Sequence, residues 1–216
     1  MHISEGVLSA PVLITGAAIA LGGTSLGLKK LDLDRVAQAG MLSAAFFVAS
    51  LIHVPVGPAS VHLILNGIVG LLLGWAAFPA ILTALLLQAM LFQYGGITTL
   101  GVNTVIMAAP AVACYLIFGP LVAKKPPVSV IAAFCCGALA VFLGALLMAA
   151  SLIFTEESFL EIAGLAVVSH LPVMIIEGVV TAFCVVFLNK VKPEMLPGRG
   201  VAPVTAEPVC LDRNSA

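Results

Sequence analysis

Two histidines offer the most distinctive chemistry in this sequence. His2 follows Met1 directly, and His62 stands in Ser60-Val61-His62 at the mouth of an apolar stretch. A histidine in second position is special. The free amine of residue 1, the backbone nitrogen of residue 2 and the imidazole of His2 can close two adjacent chelate rings around one ion. One further imidazole completes a plane of nitrogens. Such a plane suits a divalent ion of tetragonal preference, Ni(II) or Cu(II) and sometimes Co(II), whereas structural zinc prefers a tetrahedron of thiolates and imidazoles. The chemistry requires a free amine on Met1, and the bulk of His2 is expected to hinder removal of that methionine.

The other candidates each admit two readings. His2 alone would pass as a loose terminal residue, and His62 alone as a cap or interfacial residue at a helix start. His53 and His170 are supplementary ligands or packing residues, with packing favoured. Glu177, followed by Gly178, is the one acid placed well inside an apolar span. An intramembrane acid is a functional hypothesis by default, here a proton or ion carrier, or else a bridge between helices or to a partner protein. Asn66 and Asn103 either hold the second ring nitrogen of an imidazole or act as polar glue between helices. Glu5, Ser60 and Thr99 complete the polar residues expected to line or cover an ion. The five cysteines include no CxxC pair and read as small buried residues. There is no Walker loop, nucleophile elbow or HExxH helix, so the chain is expected to be neither an ATPase nor an enzyme.

Composition decides what must position these residues. Of 216 residues, 62% are hydrophobic and 9% charged, against about 25% charged in a soluble domain. A span needs about 20 apolar residues. The apolar runs predict seven, over residues 10–28, 36–54, 61–76, 79–92, 102–122, 128–154 and 163–188. The fold expected is an all-α integral membrane protein with short loops. With residue 1 outside, all nine basic residues fall on the cytoplasmic side: Lys29, Lys30, Arg35, Lys124, Lys125, Lys190, Lys192, Arg199 and Arg213. Removing a span would scatter them over both faces, and reversing the chain would put them all outside. The amino terminus is therefore expected outside and the carboxyl terminus in the cytoplasm.

This topology brings His2 and His62 to one side, with Glu5, Glu156, Glu157 and Glu161. The irregular segments 54–58 and 94–101 are expected to fold inward beside the amino terminus, the second as a lid or re-entrant loop, because irregular backbone at membrane depth needs cover. The leading segment carries Glu5 and no Lys or Arg, so the first span is expected to stay rather than be cleaved. Residues 1–192 read as one transmembrane metal-capture domain. Residues 193–216, rich in proline and glycine, read as a disordered cytoplasmic tail. No basic stripe suggests nucleic acid. Gly67, Gly70 and Gly74 make a face for close helix approach without naming the partner.

Several motifs in order resemble the CbiM/NikM family, the substrate-capture subunits of energy-coupling factor transporters for cobalt and nickel. They are Met1-His2-Ile3-Ser4-Glu5-Gly6-Val7-Leu8-Ser9, Ser60-Val61-His62-Leu63-Ile64-Leu65-Asn66-Gly67, Gln88, Gly95-Gly96-Ile97-Thr98-Thr99-Leu100-Gly101-Val102-Asn103, His170-Leu171-Pro172 and Glu177-Gly178. The resemblance implies that Met1, His2 and His62 bind Co(II) or Ni(II), the transported substrate, with no catalytic cofactor. It also implies a membrane coupling (T) subunit, cytoplasmic ATPase subunits and a small accessory membrane subunit as partners, in a prokaryotic cytoplasmic membrane. Cobalt-type members often read Ser-His-Pro-Thr-Gly around the second histidine. The different residues after His62 here leave cobalt and nickel both open. A gradient-driven secondary metal transporter using Glu177 is the alternative.

Overall fold

The computed structural model describes residues 2–56 and 59–198, and of residues 53–56 and 59–61 the backbone only. Among the described residues, seven α-helices and one short hairpin follow in order: α1 Ala10–Lys30, α2 Val36–Ala49, β1 His53–Val56, β2 Ala59–His62, α3 Asn66–Leu73, α4 Ala77–Phe92, α5 Leu100–Val122, α6 Val128–Ile153 and α7 Leu160–Val191. Each expected span coincides with one helix. Their lengths, however, differ from seven plain crossings. α2 and α3 have 14 and 8 residues, about 21 and 12 Å at the helical rise, short of a hydrocarbon core of about 30 Å. Five helical segments are long and apolar enough to cross a membrane, with α3 and α4 counted together as 27 residues from Asn66 to Phe92.

Local chemistry explains both short helices. α2 stops at Ala49, and of the residues expected to prolong it His53 and Val54 fall in β1, where Pro55, opposite Ser60, suits a two-stranded edge better than a helix interior. β1 pairs antiparallel with β2, in a register that sets His53 opposite His62. α3 is interrupted at Gly74, whose φ of +56° a side chain rarely tolerates. Two of the three glycines of the expected close-approach face, Gly67 and Gly70, meet other helices. A Cβ on Gly70 would lie 2.3 Å from the Ala111 carbonyl oxygen of α5, and one on Gly67 would lie 2.7 Å from Gly137 Cα of α6. All eight residues of α3 are buried. It is the central post of the bundle, which is why its sequence is apolar on every side.

The two ends of the bundle differ in character. At one, Lys30 Nζ sits 4.9 Å from the Trp75 ring centroid and the Arg35 guanidinium donates to the Leu72 carbonyl. Residues 193–198, assigned from composition to a tail, pack here. Pro193–Met195 forms a helical turn, and Leu196, 2% exposed, joins the core beside Val122 and Cys114. Residues 199–216 lie outside the described residues. The opposite end gathers the amino-terminal segment, the hairpin and the loop before α5, and there Ser9 N–H donates to Thr155 Oγ1 at 3.3 Å. Along the flanks, Ile14, Phe183 and Val168 are exposed, an apolar jacket suited to lipid rather than water.

Candidate metal centre

The amino-terminal segment enters the bundle and is held there by its backbone. Asn103 of α5 brackets Ile3: Ile3 N–H donates to Asn103 Oδ1, and Asn103 Nδ2 donates to the Ile3 carbonyl, each at 3.0 Å. The side-chain amide thus supplies both bonds that a neighbouring strand would supply. Asn103 Nδ2 also donates to Thr99 Oγ1 at 3.3 Å, and both residues are buried. Two residues further on, Glu5 accepts from Thr98 N–H at 3.1 Å. The loop can come so close because Gly95 and Gly96 lack side chains. A Cβ on Gly96 would fall 1.9 Å from Glu5 Cγ, and Gly95 faces Asn103 and the His2 ring. Residues 94–99 therefore cover the amino-terminal segment, where a lid or re-entrant loop was expected.

Under this cover the two imidazoles meet. The rings of His2 and His62 have centroids 4.8 Å apart and planes tilted by 38°, and Tyr94 stands 6.0 Å from His2. His62 Nδ1 lies 3.0 Å from the Leu63 carbonyl oxygen. A carbonyl only accepts, so Nδ1 carries the proton and a neutral ring keeps its lone pair on Nε2. His2 Nε2 is hydrogen-bonded to Gln88 Oε1 at 2.8 Å. Gln88 in turn donates from Nε2 to Ser50 Oγ at 2.7 Å, and Gln88 and Ser50 are both buried.

Glu177 braces the segment that carries His62. Its Oε1 accepts from Ile64 N–H and Leu65 N–H, the second at 2.8 Å. Leu65 has a φ of +57° and stands at the start of α3, so an acid from α7 meets unpaired amides at a helix amino terminus. Asn66 is buried with Nδ2 3.3 and 3.4 Å from the carbonyls of Met107 and Ala140, which ties α3 to α5 and α6. His170 Nδ1–H donates to the Ala166 carbonyl one turn back at 2.7 Å. Met1 lies outside the described residues, as do the side chains of His53 and Ser60.

Among the described residues, no group of three His, Cys, Asp or Glu side chains gathers closely enough to hold a metal. Two imidazoles are half of a planar set of four nitrogen donors. The structure also adds residues that spacing did not single out as site members: Gln88, Ser50 and Tyr94. The available signal for Gln88 was a primary amide inside α4, whose one other polar side chain is Thr83.

The sequence model described as the cobalt uptake substrate-specific transmembrane region, CbiM, matches residues 2–195. The chain belongs to this family. It is accordingly a multi-pass membrane component of cobalt and nickel transport. Within the family and its kin, the chain is 43% identical over 206 residues to a putative metal transport protein of Haemophilus influenzae, covering 91% of this chain and 97% of that one. It is 36% identical over 129 residues to a fused nickel transport protein, NikMN, of Rhodobacter capsulatus, covering 57% of this chain and 35% of the fused protein. The fold is similar to the crystal structure of a transition metal transporter, with a TM-score of 0.78 and 28% identity over 88% of this chain and 93% of that one.

Proposed function

We propose that the chain is the substrate-capture subunit of an ATP-driven energy-coupling factor importer for Co(II) or Ni(II). The ion is taken from the outer side by the amine of Met1, the backbone nitrogen and Nδ1 of His2, and Nε2 of His62. The observation that carries this reading is the His2 and His62 pair at 4.8 Å, with the chain between amine and bundle clamped at Ile3. From the residue 2 amide nitrogen, a chelate ring through Cα, Cβ and Cγ closes on Nδ1; Nε2 lies too far round the imidazole. With His62 offering Nε2, four nitrogens suit a tetragonal ion.

Seven crossings with the amine outside are part of the proposal. In its favour, Lys30 and Arg35 sit at the end of the bundle opposite the paired imidazoles, which agrees with a positive cytoplasmic face. The shortness of α2 and α3 is tolerable at membrane depth because protein covers their ends. The amino-terminal amine would then reach the interior from the outer side, and residues 1–192 would form the capture domain.

A capture subunit needs energy from elsewhere. A fused nickel transport relative, in which the matched region is 35% of the length, supports partners that act beside this region. We assign a membrane coupling subunit, cytoplasmic ATPases and a small accessory membrane subunit to that role. Uptake of 63Ni or 57Co into proteoliposomes tests the proposal. Uptake that requires both the partner subunits and internal ATP is the expected result. Uptake by this chain alone, driven by an imposed proton gradient, would instead establish the secondary transporter and give Glu177 a carrier role.

A further inference from the structure

We infer that Ser50 and Gln88 set the tautomer of His2, so that Nδ1 is the ring nitrogen turned to the ion. The inference rests on the proposed metal reading for its purpose, but its evidence is the polarity of a hydrogen-bonded chain. Ser50 Oγ lies 2.7 Å from the Phe47 carbonyl oxygen and 2.7 Å from Gln88 Nε2. A carbonyl only accepts, so the single hydroxyl proton goes to Phe47 and the Ser50 oxygen must accept from Gln88. Only the amide nitrogen of Gln88 can donate. Its oxygen therefore faces His2 at 2.8 Å, and an oxygen that only accepts requires the proton on His2 Nε2.

The chain of constraints thus starts at a fixed backbone carbonyl and ends at an imidazole. Ser50 is 1% exposed and Gln88 0%, so solvent does not readily substitute for either partner. A neutral imidazole has one N–H, and with Nε2 protonated the lone pair stands on Nδ1. This is the nitrogen that can close a ring with the amide of the same residue. A ligand histidine commonly has its other nitrogen held in this way, and losing the holder typically costs 10- to 100-fold in affinity. Gln88 and Ser50 are positioning residues; neither is expected to touch the ion.

The test uses the full chain in detergent, labelled with 15N-histidine, first without metal and then titrated with Ni(II). The His2 signals are identified by their loss in His2→Ala. Wild type is expected to show His2 protonated on Nε2. Gln88→Met keeps the bulk but removes the acceptor, and is expected to mix the tautomers and weaken Ni(II) binding about 10- to 100-fold. Ser50→Ala leaves Gln88 in place without its orienting partner, and a smaller change in the same direction is expected. Should Gln88→Met fail to fold, Ser50→Ala carries the test. A proton on Nδ1 of wild-type His2, or wild-type tautomer and affinity in the folded variants, would overturn the inference. A perturbed tautomer in Gln88→Met, in a chain whose wild type binds no Ni(II), would support the lock and sink the metal reading.

Discussion

At His2 and His62, two side chains share a buried corner with too few acidic or thiol neighbours to make an ordinary metal site. The remaining donors proposed are nitrogens that must shed protons: an ammonium becomes an amine, and a backbone N–H becomes an amide anion. Binding therefore releases protons, and affinity is expected to fall as pH is lowered. Isothermal titration with Ni(II) at several pH values between mildly acidic and neutral checks this, and a flat profile would contradict the donor set. Asn103 carries a second expectation at this scale. Asn103→Leu leaves Ile3 N–H and C=O without their partners, at about 1–3 kcal/mol for each buried group left unsatisfied. Since 1.4 kcal/mol is tenfold in a binding constant, Ni(II) affinity should drop by about tenfold or more while the helical circular dichroism is kept. His62 and His2 were legible from residue type and position. Gln88 was not legible as a partner of His2, because 86 residues separate them and spacing within one helix says nothing about its neighbours.

The helices divide into long ones that form the wall and short ones that build the site. Hydropathy revealed the positions of all seven, since each apolar run became a helix. Their ends were harder to read. The run into β1 stays largely apolar, and Pro55, with Gly57 and Pro58 after it, marks where a helix cannot continue without fixing where it stops. α3 and α4 join through Gly74, whose conformation becomes visible only in the folded chain. At this scale Glu177 matters as a brace from α7 to the start of α3. Glu177→Gln keeps an oxygen for Ile64 and Leu65 and is expected to retain Ni(II) binding and ATP-dependent uptake. Glu177→Leu orphans the buried amide of Ile64 and the half-buried amide of Leu65, at about 1–3 kcal/mol for a buried group, and is expected to lower both melting temperature and affinity. Thermal unfolding and titration of the two variants side by side check this. Loss of uptake in Glu177→Gln with binding intact would point to a proton or ion carried on the acid.

Over the described residues, a bundle seals its central helix, sets Lys30 and Arg35 at one end and brings the segment from His2 onward into the other. That arrangement explains why the first residues form part of the core rather than a loose end: Ile3 is 3% exposed. That Lys30 and Arg35 lie away from His2 and His62 was legible in the sequence. The packing of residues 193–198 was not, because a proline- and glycine-rich composition hides Leu196, the one buried residue among them, which anchors the segment. The central claim is that the amine of Met1 is a ligand, and its position cannot be shifted without loss. Ni(II) titration of the chain with its native Met1, beside a chain extended by one residue before Met1 and verified by intact mass, tests this most directly. The extended chain is expected to fold with an unchanged circular dichroism spectrum and to lose high-affinity binding. Equal affinity in the two chains would contradict the amine-ligand account.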